Sequence, residues 1–138
     1  MKIKNFAVLA GVAGLLAACG GSSIVEPADL NDQRVYFAFN SSEISDDARD
    51  NLLGQSLYMK NHADTNIQIA GNCDERGSTE YNLALGARRA NAAKQVLVDD
   101  GIDPKRISTI SYGKERPLVK GSGEEVWKWN RNATTTVK

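Results

Sequence analysis

Residues 71–90, GNCDERGSTEYNLALGARRA, constrain the fold more tightly than the rest of the chain. Ile67 and Ile69 alternate with polar neighbours and lead into Gly71, which predicts a strand. From Thr79 onward the apolar residues recur at helical spacing, which predicts a helix. Between the two lies a loop carrying Asp74, Glu75 and Arg76. Such a junction sets acidic side chains beside the unpaired backbone N–H groups of a helix start. Both charges of one small ligand can be met there at once.

The other elements follow from the same patterns. Residues 35–39 alternate, with Val35, Phe37 and Phe39 on one face of a predicted strand. Ser45 followed by Asp46 and Asp47 suits a helix N-cap, and Leu52, Leu53 and Leu57 supply an apolar stripe to about residue 61. A strand over 66–72 and a helix over 79–100 follow, the helix closed by Gly101 with Pro104 soon after. Residues 107–112 read as a strand, 113–123 as a loop, 124–130 as a helical turn and 133–137 as a last strand. The order βαβαββ predicts an α+β domain in which helices cover one face of a mixed sheet. At about 100° per residue, Leu83, Gly86, Ala90, Ala93 and Leu97 form one stripe of the second helix, with Arg88 nearly opposite. Asn82 and Arg89 are seven residues apart, drift by only about 20°, and sit together on the flank of that stripe.

The N-terminal segment has a different character. Lys2 and Lys4 precede an apolar run, residues 6–16, which ends in Leu16-Ala17-Ala18-Cys19. The run is roughly half of the about 20 residues a membrane-spanning helix needs, so 1–18 reads as a secretory signal. The four residues resemble the lipidation box of bacterial lipoproteins, which implies that Cys19 is acylated and becomes the first residue. Multiple acyl chains hold a protein to a membrane where one is marginal. Gly20 follows without the aspartate that often marks inner-membrane retention in such proteins, so the outer membrane is the expected destination. Residues 19–32 then form the lipidated N-terminus and a flexible Gly/Ser tether, and 33–138 the globular domain. With Lys2 and Lys4 removed, 15 basic residues face 17 acidic ones, which argues against nucleic acid as a partner.

Asp74 can accept from a ligand ammonium and Arg89 can grip a carboxylate in bidentate fashion, so together they would read a zwitterion. An internal Asp74–Arg89 ion pair is the competing reading, and spacing leaves both open. Glu75 and Arg76 read as solvated or capping charges. Cys73 lacks a partner thiol once Cys19 carries lipid and reads as a small buried side chain. His62, the sole histidine, falls at the end of the first helix. With two cysteines and one histidine, no familiar zinc spacing can be assembled, and neither a metal nor another cofactor is expected. Of Trp127 and Trp129, one is expected to pack inward.

The runs NCDERG, EYNLALGARRAN, VYFAF, ISYGKERP and WNRNA, together with the lipidation box, resemble the OmpA-like peptidoglycan-binding family, above all its lipid-anchored members. The resemblance spans nearly the whole mature chain. It implies a two-layer sandwich that binds the stem peptide of peptidoglycan noncovalently, with meso-diaminopimelate held between Asp74 and Arg89. Asn82 and Arg131 would line the same site, and Asn40 would stand at its rim. It further implies a lipid-anchored protein of the outer membrane facing the periplasm, which works with TolB and other Tol proteins in envelope integrity and cell division. The chain departs from the family pattern at Ala38 and Asn40, where many members carry aspartates, and at Asn132, where many carry a second arginine. Its closing strand is also less apolar than usual.

Other classes fit less well. A flagellar stator relative needs a spanning helix before the domain, and an outer-membrane barrel needs many more strands than 138 residues supply. A thiol enzyme built on Cys73 has neither a second cysteine at C-x-x-C spacing nor an evident base, so no enzymatic activity is expected. The alternative is a protein-protein adaptor of the Tol system whose wall binding is weak or lost.

Overall fold

The structure, a computed structural model, describes residues 24–138. The expected signal segment 1–18 and the expected acylation site Cys19 lie outside the described residues. The elements are β1 (Gln33–Tyr36), α1 (Asp46–Asn61), β2 (Ile67–Asn72), α2 (Thr79–Asp99), a 3-10 turn (Pro104–Arg106), β3 (Ile107–Gly113), α3 (Glu124–Asn130) and β4 (Asn132–Val137). The strands form one mixed sheet in the order β1-β4-β2-β3, with β2 and β3 parallel and the other neighbours antiparallel. This is the expected α+β architecture, and the 3-10 turn is an addition to it.

Strand alternation gives the sheet a helix-covered face. Val35, Ile67, Ile69, Ile107 and Ala133 point to it and pack with Leu52 and Met59 of α1 and Ala90, Ala93 and Leu97 of α2. The polar closing strand finds its place through hydrogen bonds: Thr135, buried at the centre of the sheet, donates to Gln55 of α1 at 2.6 Å. Ser45 and Ser78 cap the two long helices, each side chain accepting a backbone N–H at 3.1 Å.

Three expectations are corrected. The tether was expected to extend to residue 32, but Leu30 is 0 % exposed within the core and Glu26 accepts from Asn61 at 2.8 Å, so the packed unit begins upstream of Gln33. β1 ends at Tyr36, and Phe39 is 58 % exposed instead of facing the core, because the chain turns through Asn40 at φ 57°. Leu83 is exposed; the buried stripe of α2 begins with Asn82, Leu85, Gly86 and Arg89, so Asn82 and Arg89 belong to that stripe and not to its flank.

The contact that positions the site is Gly71 against Gly86. A Cβ on Gly71 would stand 1.7 Å from the Gly86 carbonyl oxygen, so β2 and α2 meet backbone to backbone. Asn82 lies one helical turn before this contact and Arg89 just under one turn after it. The close approach brings both side chains to the end of β2.

Candidate functional site

A cleft of about 360 Å³ opens where β2 ends and α2 begins. Asp74 and Cys73 form one wall, Asn82 and Arg89 come up from α2, and Phe39 and Asn40 enter from the turn after β1. The Tyr81 hydroxyl donates to Asn40 Oδ1, joining two sides of the cleft. Asn82 Nδ2 donates to the Arg76 carbonyl at 2.8 Å and holds the loop over the helix start.

Arg89 is 0 % exposed. Its Nε donates to the Ser41 carbonyl at 2.8 Å, Nη1 to Asn72 at 2.9 Å and Nη2 to Ala38 at 3.1 Å. These use three of the five N–H donors of a guanidinium. No carboxylate lies within 4.0 Å of Arg89 among the ion pairs of the described residues. Burial lowers its proton affinity below the ordinary arginine value, with a smaller opposing contribution from Asp74. The cation is therefore held on carbonyl dipoles, without an adjacent counter-charge.

Asp74 is 4 % exposed and has different partners. Arg76 grips it in bidentate fashion, Nε to Oδ1 at 3.1 Å and Nη2 to Oδ2 at 2.7 Å, and adds its backbone N–H at 3.0 Å. Arg131 Nη1 approaches Oδ2 at 3.4 Å. Burial alone would raise the Asp74 pKa, but the hydrogen bonds and charge of Arg76, with Arg131 behind them, outweigh it and hold the carboxyl below its usual value. The internal Asp74–Arg89 ion pair is not formed.

The structure brings Asn40, Asp74, Asn82 and Arg89 to one cleft and leaves Arg131 outside it. Arg131 stands behind Asp74, donating from Nε to the Phe37 carbonyl at 2.8 Å and from Nη1 and Nη2 to Glu124 at 3.0 and 2.8 Å. Hydrogen bonding to Glu124, opposed by burial and helped by Asp74, pushes its pKa above the ordinary arginine value. Expected as a lining residue, it supports one instead, because Glu124 in the first turn of α3 draws the guanidinium away from the cleft.

Arg76 is more than a solvated loop charge. Its guanidinium lies between the Phe39 and Trp127 rings, 3.9 Å from each centroid. Glu75 fixes Trp127 in turn, accepting its Nε1–H at 2.8 Å and a bond from the Ser122 hydroxyl. Trp127 is thus half-buried against Arg76 and does not enter the core, whereas Trp129 is exposed and meets Tyr36 edge-on. Phe39 and Tyr81 are the cleft residues that sequence reasoning missed. The available signal was the asparagine at 40, a residue type that readily adopts the positive φ found there, through which a strand cannot continue. Cys73 is buried, donates to the Asn82 carbonyl at 3.3 Å, and has its pKa raised by burial, which disfavours the nucleophilic thiolate. His62 caps the end of α1, its ring stacked on Tyr58. Among the described residues no group of three or more His, Cys, Asp or Glu side chains is placed to hold a metal.

The family model described as OmpA family matches residues 36–131, and the chain belongs to that family. It is 42 % identical over 136 residues to the peptidoglycan-associated lipoprotein of Mesorhizobium japonicum, covering 99 % of this chain and 80 % of that one. Against the protein of the same name from Pasteurella multocida it is 36 % identical, with 96 % of each covered. The crystal structure of the peptidoglycan-associated lipoprotein from Burkholderia pseudomallei superposes with a TM-score of 0.75 at 39 % identity, over 77 % of this chain and 90 % of that one. The periplasmic domain of Helicobacter pylori MotB shares the fold at 20 % identity and a TM-score of 0.64, over 75 % of this chain and 69 % of that one. The chain is accordingly a structural protein and not an enzyme.

Proposed function

We propose that the cleft binds the peptide stem of peptidoglycan noncovalently, at its meso-diaminopimelate residue, and that the protein thereby ties the outer membrane to the cell wall. The observation that carries this reading is Arg89, a buried cation at a cleft floor that has, among the described residues, no adjacent carboxylate and two N–H donors unspent. A carboxylate entering the cleft supplies the missing counter-charge. The side chain of meso-diaminopimelate ends in an ammonium and a carboxylate on one carbon. The ammonium displaces part of the Arg76 grip on Asp74, whose oxygens are otherwise filled by Arg76 and Arg131, while the carboxylate takes the free donors of Arg89. Asn82 and Asn40 line the path, and Arg131 acts by holding Asp74 in place.

On this reading Cys19 carries the lipid that anchors the protein in the outer membrane, with the domain facing the periplasm. TolB and the other Tol proteins are its partners in envelope integrity and cell division. The names of the relatives support peptidoglycan association and lipidation, and the Tol partnership rests on the family resemblance. The second reading, a Tol adaptor with lost wall binding, is favoured by one feature: Arg89 already ties three backbone carbonyls together and so has a structural task as well.

Co-sedimentation with purified peptidoglycan separates the two. Walls built on meso-diaminopimelate should pull the protein down, and walls built on lysine, which lacks the side-chain carboxylate, should do so far less. Absence of sedimentation with either would leave the adaptor reading.

A further inference from the structure

We propose that the sheet face turned away from α1 and α2 carries a second site, one that takes an N-acetylated, carboxyl-bearing sugar. The choice of ligand rests on the wall-binding reading above; the site itself rests on the following geometry. The alternation that sends Ile67 and Ile69 under the helices sends Gln68, Ala70 and Asn72 to the opposite face. The register pairs them with Thr136, Thr134 and Asn132 of β4. The result is a cross-strand ladder of amides and threonine hydroxyls with Ala70 at its centre. The loop after β3 rises over one side of this ladder with Arg116 and encloses a cleft of about 390 Å³.

Three features decide the chemistry. First, the floor is polar, so an apolar helix laid on it would desolvate amides and hydroxyls without replacing their hydrogen bonds. Second, the charged residues lining the cleft are Arg34 and Arg116, with no carboxylate among the lining residues. Arg34 is partly answered by Asp32 at 3.6 Å, while Arg116 is stacked on the Tyr112 ring, 3.7 Å from its centroid, and so is held in place to meet an anionic group. Third, Asn72, 8 % exposed at the cleft floor, spends its Nδ2 on Ala70 and Asn132, and its Oδ1 has no hydrogen-bond partner among the described residues. That oxygen is itself buried, so a ligand amide N–H satisfies it once the Asn72 side chain turns toward the cleft.

A sugar with hydroxyls for the ladder, an acetamido N–H for Asn72 and a carboxylate for Arg116 matches all three. Alternate sugars of the peptidoglycan glycan strand carry these groups once the stem peptide has been removed. Asn72 also connects the two sites, since its carbonyl oxygen accepts from Arg89 while its side chain lines the second cleft. One polymer could then be held at its peptide and at its backbone by the two sides of a single strand.

The test is an NMR titration of the non-lipidated protein with its segment upstream of residue 24 retained, using three probes: glycan strands stripped of stem peptides, a neutral N-acetylglucosamine tetramer, and a free diaminopimelate-containing stem peptide. Stripped strands should shift the amides of Gln68, Thr134 and Thr136. Arg116→Ala and Gln68→Ala should each weaken that binding tenfold or more and leave the stem peptide unaffected. The neutral tetramer should bind the parent as weakly as Arg116→Ala binds stripped strands. If stripped strands leave these amides unshifted, or if both folded variants bind them like the parent, the second site is wrong. Binding of stripped strands without binding of the stem peptide would instead overturn the proposed function and leave this site standing.

Discussion

Two buried arginines, about 40 residues apart in sequence, meet around the end of β2 in opposite electrostatic states. Arg131 is neutralised within the fold by Asp74 on one side and Glu124 on the other. Arg89 is more deeply buried yet is met only by carbonyl dipoles. Burying an unpaired charge is expensive and burying a paired one much less so. The difference teaches that the Arg131 side is a finished structural joint, whereas the Arg89 side is an unfinished one that an anion completes. Substitutions should therefore affect stability on one side, and ligand affinity in addition on the other.

The largest effect should come from breaking the contact that brings the Arg89 side into being. A Cβ at residue 71 has no room against the Gly86 backbone, so Gly71→Ala should destabilise the domain by about 3 kcal/mol or more, measured by urea denaturation. The milder Gly86→Ala meets the Ser111 hydroxyl at 2.3 Å and the Gly71 carbonyl at 2.9 Å. It should leave a folded domain with weakened ligand binding, because α2 must shift and Arg89 shifts with it.

The joint itself is tested next. Arg131→Met removes the bonds to Asp74, Glu124 and the Phe37 carbonyl. The loss should be about 2 kcal/mol, below the roughly 3–5 kcal/mol of a wholly buried broken pair, because Arg76 still holds Asp74 and Glu124 is exposed. Affinity for the stem peptide should fall less than stability suggests. If Arg131→Met abolishes binding in a folded domain, the two arginines are not divided as described.

Acid should act on the same joint. The Asp74 carboxyl is held below its ordinary value of 3.8, so its ionised form favours the folded state. That contribution is fully present above about pH 4 and is lost as the pH falls through the lowered value. Asp74→Asn should flatten the fall in stability as the pH drops below about 4, followed by circular dichroism melts. The smallest effect should be at Cys73: with burial raising its pKa, alkylation of the native thiol at pH 8 should be many times slower than in urea, and Cys73→Ser should bind the stem peptide like the parent.

Much of this was legible because it is local. The Ser45 cap, the strand ending at residue 72, the helix from Thr79 to the Gly101 turn, and the short helix over 124–130 each follow from a few neighbouring residues. What escaped depends on contacts distant in sequence. Phe39 reads as a core residue by alternation, yet Arg89 gathers the carbonyls of Ala38 and Ser41, 51 and 48 residues away, and the turn this stabilises throws Phe39 outward onto Arg76. Hydrophobic periodicity placed Leu83 in the stripe of α2 and set Asn82 beside it, because the first turns of that helix bury polar groups that no apolar count registers. The pairing of Arg131 with Glu124 likewise appears only once α3 has turned the chain back toward Asp74.

The central claim, that Arg89 is an unfinished charge completed by ligand, is tested most directly by calorimetric titration of a diaminopimelate-containing stem peptide into parent, Arg89→Lys and Arg88→Ala domains. Arg88 is exposed on the same helix, and its one approach to the cleft among the described residues is a loose one to the Tyr81 ring, 5.9 Å from its centroid. A lysine keeps the charge but not the planar fork, so Arg89→Lys should stay folded and lose about 2 kcal/mol of binding, roughly 30-fold in affinity. Arg88→Ala should stay within about 0.5 kcal/mol of the parent. Equal affinities for Arg89→Lys and the parent, with the fold intact, would contradict the claim and make Arg89 a structural tie alone.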